Sequence, residues 1–281
     1  MNFNELLMSL EIGLIYGIVA IGIYYTFRII DFPDLTCDGS FVLGMAVSSV
    51  LIKGGVSPAI SLFIATIAGG LSGCVTGILN VYFKVTELLS GILVAFMLYS
   101  INLKVMGGLP NIAIITEKTL FSGSNTVALL ALICAVVWGV TSYILVTDWG
   151  LALRSIGQNR WLAIMNGISV QNMTIIGLII SNALIGLSGG LFSQYQGFAD
   201  IGAGAGTIII ALAAVMIGEK VFVFRSPFIT IFGCIIGSVI YRLVISFALH
   251  GEIFGLETQD LNLVTGLMVI GIMNLRKRKI C

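Results

Sequence analysis

The chain has 281 residues, of which 58% are hydrophobic and 10% charged, and its mean hydropathy is +1.10. A soluble domain carries roughly 25% charged residues, so this composition cannot cover a water-facing surface. The net charge of +1, with no basic patch outside the last few residues, leaves no electrostatic footprint for nucleic acid.

Apolar runs of about 20 residues recur along the chain and predict an all-α polytopic membrane protein. The alternating strands of about ten residues that mark an outer-membrane barrel are absent. Nine crossings are expected, at 7–27, 39–52, 58–83, 88–105, 126–146, 172–195, 206–223, 227–248 and 261–275. No basic segment precedes the first, so it reads as a retained span and not a cleaved signal. The second and seventh are short and interrupted by glycine, the pattern of broken or re-entrant helices. The 34 glycines suit close helix contact in lipid, where small residues let backbones approach. Loops are short, so one transmembrane domain is expected over 1–281, with 106–125 and 249–260 as the larger outer pieces.

Lysines and arginines orient the spans, because cytoplasmic loops collect them. With the N-terminus outside, Arg28, Lys84, Arg154, Arg160, Lys220, Arg225, Arg276, Lys277, Arg278 and Lys279 fall inside, ten of the 14. Lys53, Lys104 and Lys118 fall outside, Arg242 lies within a span, and the C-terminus is cytoplasmic.

The longest polar interruption, TDWGLALRSIGQNRWLAIMNGISV from Thr147 to Val170, is then a cytoplasmic loop. Its spacing predicts a short amphipathic helix outside the membrane that offers Trp161 and Met165 to a partner protein, or else an ordinary loop lying on the bilayer.

Two halves echo one another. The run from Ile12 to Ile15 with Gly22 matches Ile176 to Ile179 with Gly186; Phe32 to Leu35 matches Phe198 to Ile201. Each second block leads to a glycine and a hydroxyl, Gly39–Ser40 and Gly206–Thr207, ahead of an apolar helix. The offsets are 176 − 12 = 164 and 198 − 32 = 166. Five crossings separate the copies, so the second enters from the opposite side. Inverted-topology halves, roughly 7–105 and 172–275, with broken helices meeting near the midplane are therefore expected.

Asp34, Asp38 and Ser40 precede or open the second span, and Asp200 and Thr207 hold the matching places in the other half. They read as helix caps or as residues lining a substrate path. Asp31 joins the first group. Glu11, Glu87, Arg242, Asn80, Asn102 and Asn182 are polar members of spans, which are costly there and tend to face a cavity or a partner. Glu11 and Arg242 are a candidate pair. The five cysteines are scattered without a CxxC, and His250 stands alone, so no metal site is expected. Neither a nucleotide-binding GxxxxGK[ST] loop nor a nucleophile–base constellation occurs, and no enzymatic activity is expected.

The run from Thr147 to Asn159, followed by Asn166 to Val170, resembles the central cytoplasmic signature of bacterial ABC importer permeases of the branched-chain amino acid and ribose-type group, where G-R-A-L-R-A-x-G-x-N leads into A-L-G-I. Residues Ser181 to Gly190 and Ala211 to Gly218 are similar to that family's following helices. The segment from Asp34 to Ser40 is similar to its D-L-S-V-G-S motif, and closer to a subgroup of tryptophan and other aromatic amino acid importers. The chain departs at Leu151, where the family has Arg, and at Asn166, where Leu is usual. Nine crossings are also one fewer than in sugar permeases, and loss of the first leaves the N-terminus outside. The resemblance implies that 147–170 is a coupling helix docking on an ATPase through Arg154, Gly157, Asn159, Arg160, Trp161, Met165 and Gly167. It also implies two ATPase copies, which hold ATP and Mg²⁺ so that this chain needs no cofactor. A second permease copy or homologue, an extracytoplasmic solute-binding protein and a bacterial cytoplasmic membrane complete the expected system. An aromatic or branched-chain amino acid is the expected cargo. A sugar, nucleoside or vitamin permease and a secondary transporter are the alternatives.

Overall fold

The computed structural model describes residues 3–123, 125–222 and 226–250, together with 266, 270 and 271. All of the expected ninth crossing but residues 266, 270 and 271, together with Arg225, the side chain of His250 and the basic tail, lies outside the described residues. The protein is mainly helical. Helix α1 (Phe3–Ile23) runs into a π-helical segment (Tyr24–Ile30), and α2 (Cys37–Lys53), α3 (Pro58–Val81) and α4 (Glu87–Val105) follow. After a short strand β1 (Asn111–Ala113) come α5 (Thr126–Val146), α6 (Asp148–Gln158) and α7 (Arg160–Met165). The second half holds α8 (Val170–Gln196), β2 (Phe198–Asp200), a 3-10 turn (Ile201–Gly204), α9 (Thr207–Val221) and α10 (Pro227–His250).

Among the described residues seven helices are long and apolar enough to cross a membrane: α1 with the π segment, α3, α4, α5, α8, α9 with the preceding turn, and α10. The expected second crossing is not among them, because α2 has 17 residues. At about 1.5 Å per residue it spans roughly 25 Å, short of a hydrocarbon core about 30 Å thick.

Helix α1 is the centre of the bundle and packs on α5, α8, α9 and α10, with Ile15, Ile18, Val19, Ile21 and Ile23 fully buried. The other seam joins α2, α3 and α8, and here glycines set the spacing. A Cβ on Gly44 would sit 2.1 Å from the Gly186 carbonyl oxygen, and one on Gly73 would sit 2.2 Å from that of Leu178. Backbones this close bring hydroxyls and amides within reach of one another, which is how helices adhere where lipid removes the hydrophobic drive.

Contacts between distant segments group the helix ends. At one end Arg28 pairs with Glu219 and Arg160 with Glu87. At the other, β1 and β2 form an antiparallel pair in the register Asn111 to Asp200 and Ala113 to Phe198. This pair was not expected from the sequence. Main-chain bonds from Ile114 N–H to the Gly197 carbonyl (2.7 Å) and from Ile201 N–H to that of Pro110 (3.0 Å) extend it.

Candidate functional site

The segment following α5 is two helices at an angle, not one. Asn159 breaks it: its backbone is extended, and its side chain accepts hydrogen bonds from the Trp161 and Leu162 N–H groups (3.0 and 3.1 Å), capping α7. Gly167, at φ +76°, closes α7. The Gly167 N–H donates to the Ile164 carbonyl (2.9 Å) and the Ile168 N–H to that of Ala163 (3.0 Å), the paired bonds of a Schellman stop. Helix α6 is anchored. Leu153 and Ile156 are buried in the core, and a Cβ on Gly157 would lie 2.1 Å from the Ile29 carbonyl oxygen in the π segment. Helix α7 is the reverse: Ala163 alone is buried, while Trp161 is 79% and Met165 88% exposed, beside exposed Leu162 and Ile164. Arg160 reaches Glu87 at the start of α4. The half-buried Arg154 keeps its Nε without a partner. Thus Gly157, Asn159 and Gly167 shape the segment, and Trp161 and Met165 are what it presents.

The other candidate residues divide into two places inside the bundle and one at the strand end. Asp34 is 1% exposed: Oδ1 accepts the Thr36 N–H (2.9 Å) and Oδ2 the Asn182 amide (2.7 Å). Ser40 donates to Asn182 Oδ1 (2.7 Å) and lies 2.7 Å from the Ser72 hydroxyl. With Thr36 and Thr76, 2.8 Å apart, these residues fill the α2–α3–α8 seam.

Asp38 does not cap its own helix. Its carboxylate accepts the Ile208 N–H (3.0 Å) and the Gly206 N–H (3.3 Å), holding the start of α9 against the start of α2. The contact is close, since a Cβ on Gly204 would lie 2.3 Å from the Asp38 carbonyl oxygen. Thr207 opens α9 with its hydroxyl buried and unpartnered. Asp200 sits apart at the strand pair, taking the Gly202 N–H (2.7 Å) and the Asn111 amide (3.2 Å).

Glu11 and Arg242 do not pair. Glu11 accepts the Tyr195 hydroxyl (2.8 Å), and the Arg242 guanidinium lies 4.3 Å from the centre of the Tyr16 ring, a cation–π contact. A cavity of about 140 Å³ opens beside the α2–α9 junction, lined by Asp38, Gly39 and Val42, by Ala95, Tyr99 and Asn102 of α4, and by Ile201, Gly204 and Ala205. The sequence marked Asn102 only as a polar residue within a span. Among the described residues no group of three or more His, Cys, Asp or Glu side chains is placed to hold a metal.

The family described as "Branched-chain amino acid transport system / permease component" matches residues 6–273. A tyrosine transport system permease protein of Clostridioides difficile is 38% identical over 93% of this chain and 88% of its own length. An uncharacterized protein of Rickettsia prowazekii is 35% identical over 98% of this chain and 99% of its own. A nucleoside ABC transporter permease protein of Lactococcus lactis is 24% identical over 70% of this chain and 65% of its own. No solved structure matches. With seven membrane-length helices and a match over nearly its whole length, the chain belongs to the family of branched-chain amino acid transport permeases and is a multi-pass membrane protein.

Proposed function

We propose that this chain is one of two membrane subunits in an ATP-driven importer that carries an amino acid, aromatic or branched-chain, across the cytoplasmic membrane of a bacterium. The observation that carries this reading is the α7 face. Large apolar side chains held off the bundle on a capped, stoppered helix form an exposed patch of the kind that marks a protein contact. In this reading α6–α7 is the coupling element, an ATPase copy grips each permease, and ATP with Mg²⁺ stays on the ATPase. A solute-binding protein delivers cargo to the β1–β2 end.

The seven membrane-length helices, the short α2 completed by the non-helical residues 31–36 before it, and 261–275 beyond them make nine crossings within one domain, N-terminus outside and C-terminus cytoplasmic. Several features support inverted halves. Asp31 and Gly197, 197 − 31 = 166 positions apart, both take the left-handed conformation before the irregular segment. Three residues on, Asp34 and Asp200 each accept the N–H two residues ahead and one asparagine amide. Asp38 and Gly204, again 166 apart, touch each other, as residues beside a two-fold axis do.

The contacts also supply a mechanical route. Closure of the ATPases displaces α7; α6 is pressed on the π segment at Gly157; the π segment leads through residues 31–36 into α2; and Asp38 ties α2 to α9. ATP favours one arrangement because the partner binds the two states unequally. The tyrosine transport named for the Clostridioides difficile relative supports an aromatic cargo. With its ATPase and binding protein in proteoliposomes, the chain should take up L-tyrosine only when ATP is supplied. Uptake under an ion gradient without ATP overturns the reading and makes it a secondary transporter.

A further inference from the structure

We propose that the cavity between α2 and α4 receives the protonated amino group of the transported molecule; this rests on the amino acid importer reading above. Two side chains of the lining, Asp38 and Asn102, carry acceptor oxygens with no cation described against them. Asp38 contributes a carboxylate whose described partners are two neutral backbone N–H groups at the start of α9. Asn102 is 1% exposed, and the Gly39 carbonyl takes its amide N–H (3.2 Å), which turns Oδ1 away from that bond; Oδ1 accepts nothing. A buried acceptor left empty costs free energy until a donor arrives. The ion pairs Arg28–Glu219 and Arg160–Glu87 lie elsewhere.

An ammonium group answers all of this. It has three donors and no acceptor, and its charge offsets a carboxylate held at membrane depth. A carboxylate or phosphate meets like charge and lone pairs here. The volume far exceeds the 10–15 Å³ or so that one water needs, so a headgroup of the size of an ammonium with its adjoining carbon fits. Tyr99, 56% exposed and part of the lining, adds an aromatic face that attracts cations. A carboxylate-lined opening facing lipid is costly, so this side of α4 faces water or the paired permease.

The test uses the assembled permease–ATPase complex with Cys74 replaced by Ala and Ala95→Cys placed in the cavity wall, labelled with N-ethylmaleimide. L-Tyrosine and tyramine, which share the ammonium, should slow labelling; 3-(4-hydroxyphenyl)propionate, which lacks it, should not. Equal protection by the des-amino acid, no protection by either amine, or protection by sodium chloride alone overturns the proposal. In a second arm Asn102→Leu should lower L-tyrosine uptake about 10-fold or more, the scale of a lost hydrogen bond to a charged group, with the ATPase still bound. Unchanged uptake in Asn102→Leu also overturns it. If that variant fails to assemble, the labelling experiment, which keeps Asn102, decides. Failure of the cavity leaves wild-type uptake in place, whereas failure of the importer reading removes it.

Discussion

The α6–α7 segment and the α2–α3–α8 seam are opposites. In the first, tryptophan, leucine, isoleucine and methionine stand exposed on a short helix outside the membrane-length spans. In the second, the Asp34 carboxylate, the hydroxyls of Thr36, Ser40, Ser72 and Thr76 and the Asn182 amide lie inside the bundle, matched donor to acceptor. Each defies the ordinary partition of side chains, and each does so for a different reason. Exposed apolar area gains free energy only from something that arrives to cover it. Buried polar groups gain it from neighbours already present, and are costly only when one neighbour is removed. One region is unfinished without a partner; the other is finished within the chain.

Substitutions that separate assembly from folding test this contrast. The largest effect is expected from Trp161→Ala, which removes an aromatic anchor of the kind worth about 2–4 kcal/mol at a protein interface. Retention of the ATPase on the purified permease should fall about 30-fold or more, with the permease's melting temperature in detergent unchanged. A lower melting temperature with full ATPase retention reverses the assignment. Asn182→Leu should do the opposite. It strips a donor from Asp34 and an acceptor from Ser40, at a cost of about 1–3 kcal/mol in stability, read as a lower melting temperature. The smallest effect falls between them in kind. Asn159→Ala deletes the α7 cap, worth about 1 kcal/mol, and should weaken ATPase retention several-fold without touching the bundle. Retention equal to wild type means that α7 is held by its partner and not by its cap.

Much of this was legible in the sequence. The polar loop and its exposed Trp161 and Met165 are local patterns, and local patterns survive translation into structure. Asn159 and Gly167 also carried a readable signal, a favoured cap and a favoured stop six residues of helix apart. What stayed hidden depends on partners far along the chain. Asp38 reads as a helix cap or as a path residue, and the N–H groups it serves belong to Gly206 and Ile208, far along the chain. The Glu11–Arg242 pairing failed for the same reason, because Tyr195 and Tyr16, on no recognisable spacing from either, reached them first. Strands of three residues are too short for alternation to announce them, so β1 and β2 arise from two loops meeting and not from their own composition.

That short ribbon has a consequence of its own. It is stitched chiefly by main-chain groups, with one side-chain bond from the Asn111 amide to Asp200, so its cohesion depends little on the other side chains it bears, and the two loops it fastens come from opposite halves of the chain. Whatever lands on this end meets one seam and not two free flaps, and tugging either loop shifts both. The lettering on the seam can be rewritten to suit a different delivery protein while the stitching holds.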